Sequence, residues 1–168
     1  MRKRWVEHTL DNHSAVVALQ QSLQIDKILA TLLVQRGVTT FEEARSFFRP
    51  KLSHLHDPFL MKDMDQAIVR IEEAIAANEK ILIYGDYDVD GTTSVALVYR
   101  FLKKIYLDID FYIPNRYTEG YGISTQGIDY AEENYFSLII ALDCGIKSVD
   151  KIAYANEKGI DFIICDHH

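Results

Sequence analysis

Cysteine is scarce in this sequence. Cys144 and Cys165 are the only two among 168 residues, and they are too far apart to form a C-x-x-C pair. Disulfide frameworks need several cysteines, and structural zinc sites and redox motifs need closely spaced pairs. Each cysteine instead ends an apolar run, and we expect both to be small buried residues in a reducing compartment.

Long apolar runs are also lacking. No stretch approaches the roughly 20 apolar residues that a membrane-spanning helix needs. The basic start at 1–5 is followed by Glu7, His8 and Asp11, where a secretion signal would have an apolar core. We therefore expect a cytoplasmic protein with no membrane partner.

Basic residues are outnumbered by acidic ones, 18 to 25, which gives a net charge of -7 and a pI near 5.3. This balance argues against a nucleic-acid-binding protein, because such proteins usually carry a basic patch. A carboxylate-rich metal site is itself acidic until it is loaded, however, so the class stays open. No G-x-x-x-x-G-K-[ST] motif is present, which argues against a P-loop nucleotide hydrolase.

Three alternating aspartates are the most informative feature that is present. Asp86, Asp88 and Asp90 follow the apolar run 81–84 and precede residues 92–104, where apolar side chains recur at helical spacing. The pattern predicts a strand, an acidic turn and a helix. A solvated acidic turn is one interpretation. We favour metal binding, because three carboxylates at one strand end repel one another unless a hard cation lies between them.

Two other motifs share some of these letters. In a calcium-binding EF-hand loop the twelfth place is a bidentate glutamate, but Leu97 stands there in this sequence. The nucleophile motif of haloacid-dehalogenase-type phosphatases resembles 88–92. In that family the first aspartate follows its strand directly, whereas Gly85, Asp86 and Tyr87 intervene here. Neither motif accounts for the stretch.

Further strands are predicted downstream of the aspartates. They cover 107–113, with Ile109, Phe111 and Ile113 facing inward, then 137–142 and 160–165. Predicted helices alternate with them, and the pattern indicates an α/β fold with a parallel β-sheet and flanking helices. These helices span 92–104, 124–134 and 148–158, with Ser124 and Ser148 as N-caps and Gly159 as a C-terminal stop.

A helical N-terminal extension is predicted before this sheet. Apolar residues at helical spacing in 25–33 end at Gly37, and Thr40 with Glu43 forms a capping box for a helix through Phe48. Another helix at 63–77 leads into the first strand. We expect a helical extension at 1–62 and an α/β domain at 63–168.

Polar residues follow three of the predicted strands. The first strand ends in the three aspartates, the third in Asp143, and the fourth in Asp166, His167 and His168. Because the carboxyl ends of parallel strands share one sheet edge, a joint metal site is expected there. Carboxylates with imidazole suit Mn²⁺ or Mg²⁺ better than zinc. Two such cations about 3.5–4 Å apart would hydrolyse phosphoester or phosphoanhydride bonds.

These motifs resemble the DHH phosphoesterase superfamily. Residues 85–94, Asp143 within 142–146, and 166–168 match its first three motifs. Within the superfamily the chain is similar to RecJ-type single-stranded-DNA-specific exonucleases, through 36–44, 55–64 and 113–122. The resemblance implies two Mn²⁺ or Mg²⁺ ions and hydrolysis of single-stranded DNA from its 5′ end, in recombination and repair.

The resemblance also implies roles for single residues. Catalytic roles fall to Asp143, His167 and His168; the metal ligands are Asp86, Asp88, Asp90, Asp143 and His167; the substrate contact is His168. Arg116 is expected as a second substrate contact on other grounds, because it is the only arginine in the loop after the second strand that could reach a phosphate. Asp143 would bridge the two metals, His168 would contact a phosphate or the leaving group, and Asp166 would orient the histidines. Tyr84 stands where many members of the superfamily carry a ligating histidine. Residues 119–122 near Arg116 are either a simple glycine-rich turn or a segment near substrate.

The resemblance further implies single-stranded DNA as a partner and, for a full-length protein, a helicase and a single-strand-binding protein. The family continues after its third motif with another ligating aspartate, a connecting helix and further domains. We therefore expect an N-terminal fragment with an incomplete DHH domain that is inactive by itself. Two alternatives remain: a DHH-family hydrolase of pyrophosphate, oligonucleotides or cyclic dinucleotides, and a noncatalytic fragment.

Overall fold

The computed structural model describes Arg4, Val6 and residues 12–167. The chain divides into two compact units between Pro58 and Phe59. Sequence analysis placed the division after residue 62. Among the described residues, no helix is long and apolar enough to cross a bilayer.

The first unit is helical. Its helices are α1 (His13–Leu23), α2 (Lys27–Gln35) and α3 (Phe41–Phe48), followed by a short 3₁₀ turn at Leu52–His54. Their buried side chains pack together as one small core formed by Val16, Leu19, Ala30, Leu33 and Ala44. Helix α1, whose N-terminus is capped by the Asn12 side chain, was not predicted as a separate helix.

Two local predictions in this unit are confirmed. Gly37 adopts φ +80° directly after the α2 cap, where Gly37 N donates to Val34 O and Val38 N donates to Leu33 O. That pair of bonds is the Schellman ending, which needs a left-handed residue at this place. At α3 the Thr40 side chain accepts from Glu43 N while the Glu43 carboxylate accepts from Thr40 N, so the capping box is complete.

The second unit is an α/β sandwich, as the alternating pattern predicts. Its elements are a 3₁₀ turn (Pro58–Leu60, which begins one residue before the division), α4 (Met64–Ala76), β1 (Lys80–Gly85), α5 (Val89–Leu102), β2 (Ile109–Tyr112), α6 (Thr125–Glu133), β3 (Phe136–Leu142), α7 (Val149–Glu157) and β4 (Asp161–Cys165). All neighbouring strands are parallel, and their order is β2-β1-β3-β4. The fold class is therefore confirmed.

Alternation along the two central strands divides the core into two layers. Leu82, Tyr84, Ile139 and Ala141 pack with residues of α6 and α7 on one face. Ile81, Ile83, Leu138 and Ile140 pack with residues of α4 and α5 on the other face. Each large apolar side chain that is fully buried contributes about 1.5–3 kcal/mol. Strands β1 and β3 therefore form the rigid centre of the unit.

The strand order has a consequence for ligand binding. From β1 the chain crosses outward to β2 through α5 on one face, then returns past β1 to β3 through α6 on the other face. The loops that leave β1 and β3 thus diverge to opposite faces and open a crevice between the two strand ends. In open α/β sheets such a topological switch point is where ligands bind.

Edge positions account for two wrong predictions. Phe111 was expected to face inward but is 49% exposed, because β2 is an edge strand whose outer residues have little to pack against. Cys165, at the end of the other edge strand β4, is exposed as well. Cys144 follows central strand β3 and is buried as expected. Central and edge strands cannot be told apart from apolar pattern alone.

Helix ends differ from the prediction at two places. Helix α5 begins at Val89 and not at Thr92, so Asp90 lies in its first turn. Ser148 does occupy the N-cap position of α7, but its side chain makes no capping hydrogen bond. Ser124 does cap α6, because its hydroxyl accepts from Gly127 N at 2.9 Å, and Gly159 follows α7 with φ +71°.

Candidate metal centre

The Asp86 side chain lies at the floor of the crevice. It follows β1 directly and is fully buried. Its Oδ1 accepts from Tyr87 N at 2.6 Å and its Oδ2 accepts from Gly122 N at 3.1 Å. Burial raises the pKa of Asp86 above its ordinary value, the two N–H bonds oppose that effect, and the carboxylates of Asp88 and Asp143 add to it. The site therefore holds negative charge that its own hydrogen bonds do not fully compensate.

The Asp88 carboxylate has a structural role that the sequence analysis did not assign. It is the N-cap of α5, with Oδ1 accepting from Gly91 N at 2.9 Å, and its Oδ2 lies 3.4 Å from the Tyr121 hydroxyl. Carboxylates are favourable at this end of a helix because the helix dipole is positive there. Asp90, two residues further on in the first turn of α5, has an exposed side chain. Capping thus fixes one of the three aspartates and leaves another facing solvent.

Gly91 allows α5 to start this close to Asp86. A Cβ atom at Gly91 would lie 2.5 Å from Asp86 O and 2.7 Å from Asp86 N. Both contacts are with backbone, which cannot move aside as a flexible side chain could. Any larger residue would push the N-terminus of α5 away from the Asp86 carboxylate.

Asp143 occupies the matching place at the end of β3. Its N–H donates to Cys165 O at 2.8 Å, and its backbone is left-handed, with φ +59°, a region that aspartate tolerates better than most residues. Its Oδ1 lies 3.0 Å from His167 Nε2. The Asp143 side chain is 11% exposed, and that of His167 is 75% exposed. Asp143 is therefore held by the sheet, whereas the imidazole reaches it from the surface.

Asp166 links the last strand to the same edge. Its Oδ2 accepts from Ile146 N at 2.8 Å and its Oδ1 accepts from His167 N at 2.6 Å. The first bond fixes the loop after β3 and the second fixes the backbone that carries His167. This arrangement agrees with a role in orienting the histidine.

Cys144 lies beside these carboxylates, directly after Asp143. Burial, followed by the negative charge of Asp86, Asp166, Asp143 and Asp88, raises the pKa of its thiol to about 12. The side chain is therefore a neutral thiol at physiological pH, and a thiolate nucleophile or metal ligand is disfavoured.

A segment of the loop between β2 and α6, residues 115–124, covers the other side of the crevice. Tyr121 lies near the carboxylates. Desolvation raises the pKa of its hydroxyl to about 12, and the charges of Asp86, Asp88 and Asp143 add to that effect. Its ring meets the ring of Tyr87 edge-on, with centroids 5.8 Å apart. The guanidinium of Arg116 lies 5.4 Å from the Tyr87 centroid. Arg116, a predicted substrate contact, thus lies at the same sheet edge as the carboxylates.

Tyr84 does not face the crevice as a ligand would. Its buried hydroxyl accepts from Ser124 N at 3.0 Å and donates to Gly122 O at 2.9 Å, and burial raises its pKa. Its ring stacks on that of Tyr112, with centroids 5.5 Å apart. Tyr84 therefore helps to hold the 115–124 loop in place.

The structure brings some of the predicted site residues together and leaves others apart. Asp88 and Asp143 are close enough to Asp86 for their charges to raise its pKa, and His167 contacts Asp143. Among the described residues, however, no three His, Cys, Asp or Glu side chains are arranged to hold one metal ion. His168 lies outside the described residues. The donor chemistry fits Mn²⁺ or Mg²⁺, but the carboxylates of Asp86 and Asp88 accept from backbone amides and would have to turn toward a cation.

Known proteins resemble this chain in sequence. Residues 80–168 match the family described as "DHH family, N-terminal domain". The chain is 45% identical over 167 residues to the single-stranded-DNA-specific exonuclease RecJ of Bacillus subtilis (strain 168), covering 99% of this chain and 21% of that protein. It is 28% identical over 169 residues to RecJ of Escherichia coli (strain K12), covering 100% of this chain and 27% of that protein.

Solved structures agree. The chain resembles a crystal structure of exonuclease RecJ bound to manganese, at 33% identity and a TM-score of 0.59, over 64% of this chain and 28% of that one. It also resembles RecJ from Thermus thermophilus in complex with Mn²⁺, at 25% identity and a TM-score of 0.67, over 92% and 21%. The chain thus spans between about a fifth and about a quarter of the length of these relatives.

Proposed function

This chain belongs to the DHH family, and from that membership we propose that it carries the divalent-metal site of an exonuclease that degrades single-stranded DNA from the 5′ end. The names of its relatives support the reaction and the substrate. The observation that carries the proposal is the meeting of Asp86 and Asp143 at the switch point, each placed by a central strand. Asp86 is buried and the negative charges of Asp88 and Asp143 raise its pKa, so a cation beside Asp86 would be stabilised there.

The proposed ligands are those that the motifs indicate: Asp86, Asp88, Asp90, Asp143 and His167. Two Mn²⁺ or Mg²⁺ ions held there would supply an activated water and stabilise the phosphoryl group during in-line attack. The contact between Asp143 Oδ1 and His167 Nε2, at 3.0 Å, brings these two proposed ligands together. His168, adjacent in the chain, is proposed to contact phosphate.

Arg116 supplies positive charge to the substrate side of the site. Its guanidinium rests against the Tyr87 ring, which limits its motion while leaving its donors available to a phosphate. Tyr87 and Tyr121 add aromatic surface at the same edge, and bases of single strands stack on such rings without sequence preference. These residues support a nucleic-acid substrate despite the overall negative charge.

Three further statements stay proposals. They are a DHH domain covering 63–168, a helicase and a single-strand-binding protein as partners of the full-length protein, and a cytoplasmic location. The partners rest on the resemblance to RecJ-type exonucleases, whereas the location rests on the lack of long apolar runs and the domain boundary on the helical spacing that begins at residue 63. The alternative function is hydrolysis of small phosphate substrates. It uses the same metal chemistry and differs in the residues that contact the rest of the substrate.

A chimera tests the proposal in a complete nuclease context. This chain replaces the matching residues of the Bacillus subtilis relative, and the product is incubated with Mn²⁺ and 5′-labelled single-stranded DNA, duplex DNA or pyrophosphate. We expect release of 5′ nucleotides from single strands, with activity lost on Asp143→Asn and kept on Asp150→Asn, an exposed aspartate of α7. Faster hydrolysis of pyrophosphate than of DNA would instead favour the small-substrate alternative.

A further inference from the structure

The two ends of the 115–124 loop are joined by the carboxylate of Glu119, a residue to which the sequence motifs assign no role. Its Oε1 accepts from Asn115 N at 2.7 Å, and its Oε2 accepts from the Tyr112 hydroxyl at 2.9 Å and the Ser124 hydroxyl at 2.5 Å. The side chain is half-buried. Burial acts to raise its pKa, but these hydrogen bonds outweigh that effect and the pKa lies below its ordinary value. Glu119 therefore ties the start of the loop to its end.

From Glu119 a continuous series of hydrogen bonds leads to the metal site. Ser124, whose hydroxyl donates to Glu119, also donates its N–H to the Tyr84 hydroxyl at 3.0 Å. That hydroxyl donates to Gly122 O at 2.9 Å, and Gly122 N donates to Asp86 Oδ2 at 3.1 Å. The orientation of the Asp86 carboxylate therefore depends on the position of Gly122.

Two glycines weaken the conformational preference of the loop where it lies nearest the metal site. Gly120 and Gly122 have φ +86° and +83°, and glycine has little energetic preference for this region over negative φ. Between them Tyr121 extends its hydroxyl toward Asp88 Oδ2. Two glycines on either side of the contacting residue make this segment flexible unless both ends are fixed. Glu119 and Ser124 fix them.

We propose that Glu119 is a positioning residue for the metal site, which it serves by locking the 115–124 loop so that Gly122 N–H orients Asp86 and Tyr121 reaches Asp88. The inference rests on the proposed function, because it assumes that Asp86 and Asp88 bind cations. Glu119 itself touches neither metal nor substrate. Its effect passes through Ser124, Tyr84 and Gly122.

The experiment uses the 168-residue chain in three forms: wild type, Glu119→Ala and Glu119→Gln, with Glu133→Ala on the exposed side of α6 as the matched control. Exchange of the Gly122 amide is measured by NMR without metal, and Mn²⁺ binding is measured by electron paramagnetic resonance. Loss of a direct partner of a metal ligand weakens metal sites about 10–100-fold. Because Glu119 acts on Asp86 through Gly122, we expect a loss of Mn²⁺ affinity at the lower end of that range, about tenfold, in Glu119→Ala, and about tenfold faster Gly122 exchange.

Glu119→Gln keeps the test valid should the alanine variant fail to fold. Glutamine preserves the shape but offers one acceptor oxygen in place of two, so we expect smaller changes in the same direction. Wild-type affinity and wild-type exchange in both folded variants would overturn the positioning role. Faster Gly122 exchange with unchanged Mn²⁺ affinity would overturn it as well, because Glu119 would then serve the loop alone. A wild-type chain that binds no Mn²⁺ overturns the proposed function, and the positioning role with it.

Discussion

Two substitutions of Asp143 distinguish the effect of its carboxylate from the effect of its left-handed backbone. The residue adopts φ +59°, which asparagine tolerates and alanine does not. Asp143→Asn therefore removes one charge and keeps the backbone, whereas Asp143→Ala also removes the short polar side chain that makes the left-handed region tolerable. That conformation costs roughly 1–2 kcal/mol for an ordinary residue. The two variants together distinguish a metal role from a folding role.

The expected shifts in melting temperature follow from the size of the molecule. With an unfolding entropy of about 2.1 cal/mol/K per residue, 1 kcal/mol corresponds to about 3–4 °C for either the second unit or the whole chain. Without metal, Asp143→Ala should melt about 3–8 °C below wild type. Asp143→Asn should stay near wild type, because its lost contact is with an exposed histidine.

Adding Mn²⁺ gives the decisive comparison. At 100 times its dissociation constant, a ligand that binds only the folded state stabilises it by about 2.7 kcal/mol, which is about 8–11 °C here. Wild type should show this rise, and neither variant should show it at the same Mn²⁺ concentration. The assay is thermal unfolding followed by circular dichroism, with Asp150→Asn as the control. A full Mn²⁺-dependent rise in Asp143→Asn would refute the assignment of Asp143 as a metal ligand.

Three other predictions test different features. Gly91→Ala should lower the unfolding free energy by about 1–3 kcal/mol and weaken Mn²⁺ binding, because its Cβ meets the Asp86 backbone; urea unfolding and metal titration check this. Hydrogen bonds from Ser137 and Arg70 hold the pKa of Glu79 below its ordinary value. The ionised Glu79 carboxylate therefore stabilises the fold fully above about pH 4.3, and this contribution is lost as the pH falls through the folded-state pKa. The acid-induced fall in stability between pH 5 and pH 3 should be smaller in Glu79→Gln. The 168-residue chain alone should bind Mn²⁺ weakly and release no nucleotides from labelled single-stranded DNA, because no three ligand side chains converge among the described residues; rapid Mn²⁺-dependent release would contradict this.

Local chemistry made much of this molecule predictable. The capping box at Thr40, the left-handed Gly37 and the Ser124 cap each depend on side chains within a few residues, so the sequence shows them directly. The parallel sheet was also predictable, because strands that alternate with helices have few other ways to bury both faces. Placing the carboxylates at strand ends needed only that inference.

Which side chains meet at the crevice depends on the tertiary structure. Strand order decides which strand ends are neighbours, and the order β2-β1-β3-β4 sets Asp86 beside Asp143 at the switch point. Apolar pattern carries no information on strand order, since central and edge strands read alike. The exposure of Phe111 and Cys165 at the sheet edges was missed for the same reason.

Glu119 and Tyr84 show most clearly which features depend on the sequence and which depend on the tertiary structure. In the sequence one is an acidic residue in a glycine-rich turn and the other an aromatic residue in a strand, 35 positions apart by their numbers. Only the folded chain brings the Ser124 hydroxyl to Glu119 and its N–H to Tyr84, which joins them into one network. The sequence by itself determined which residues carry charge and where helices and strands form, because those properties are local. Tertiary packing alone decided which of those charges share a site and what holds them in place, because hydrogen bonds between distant residues exist only once the strands are ordered.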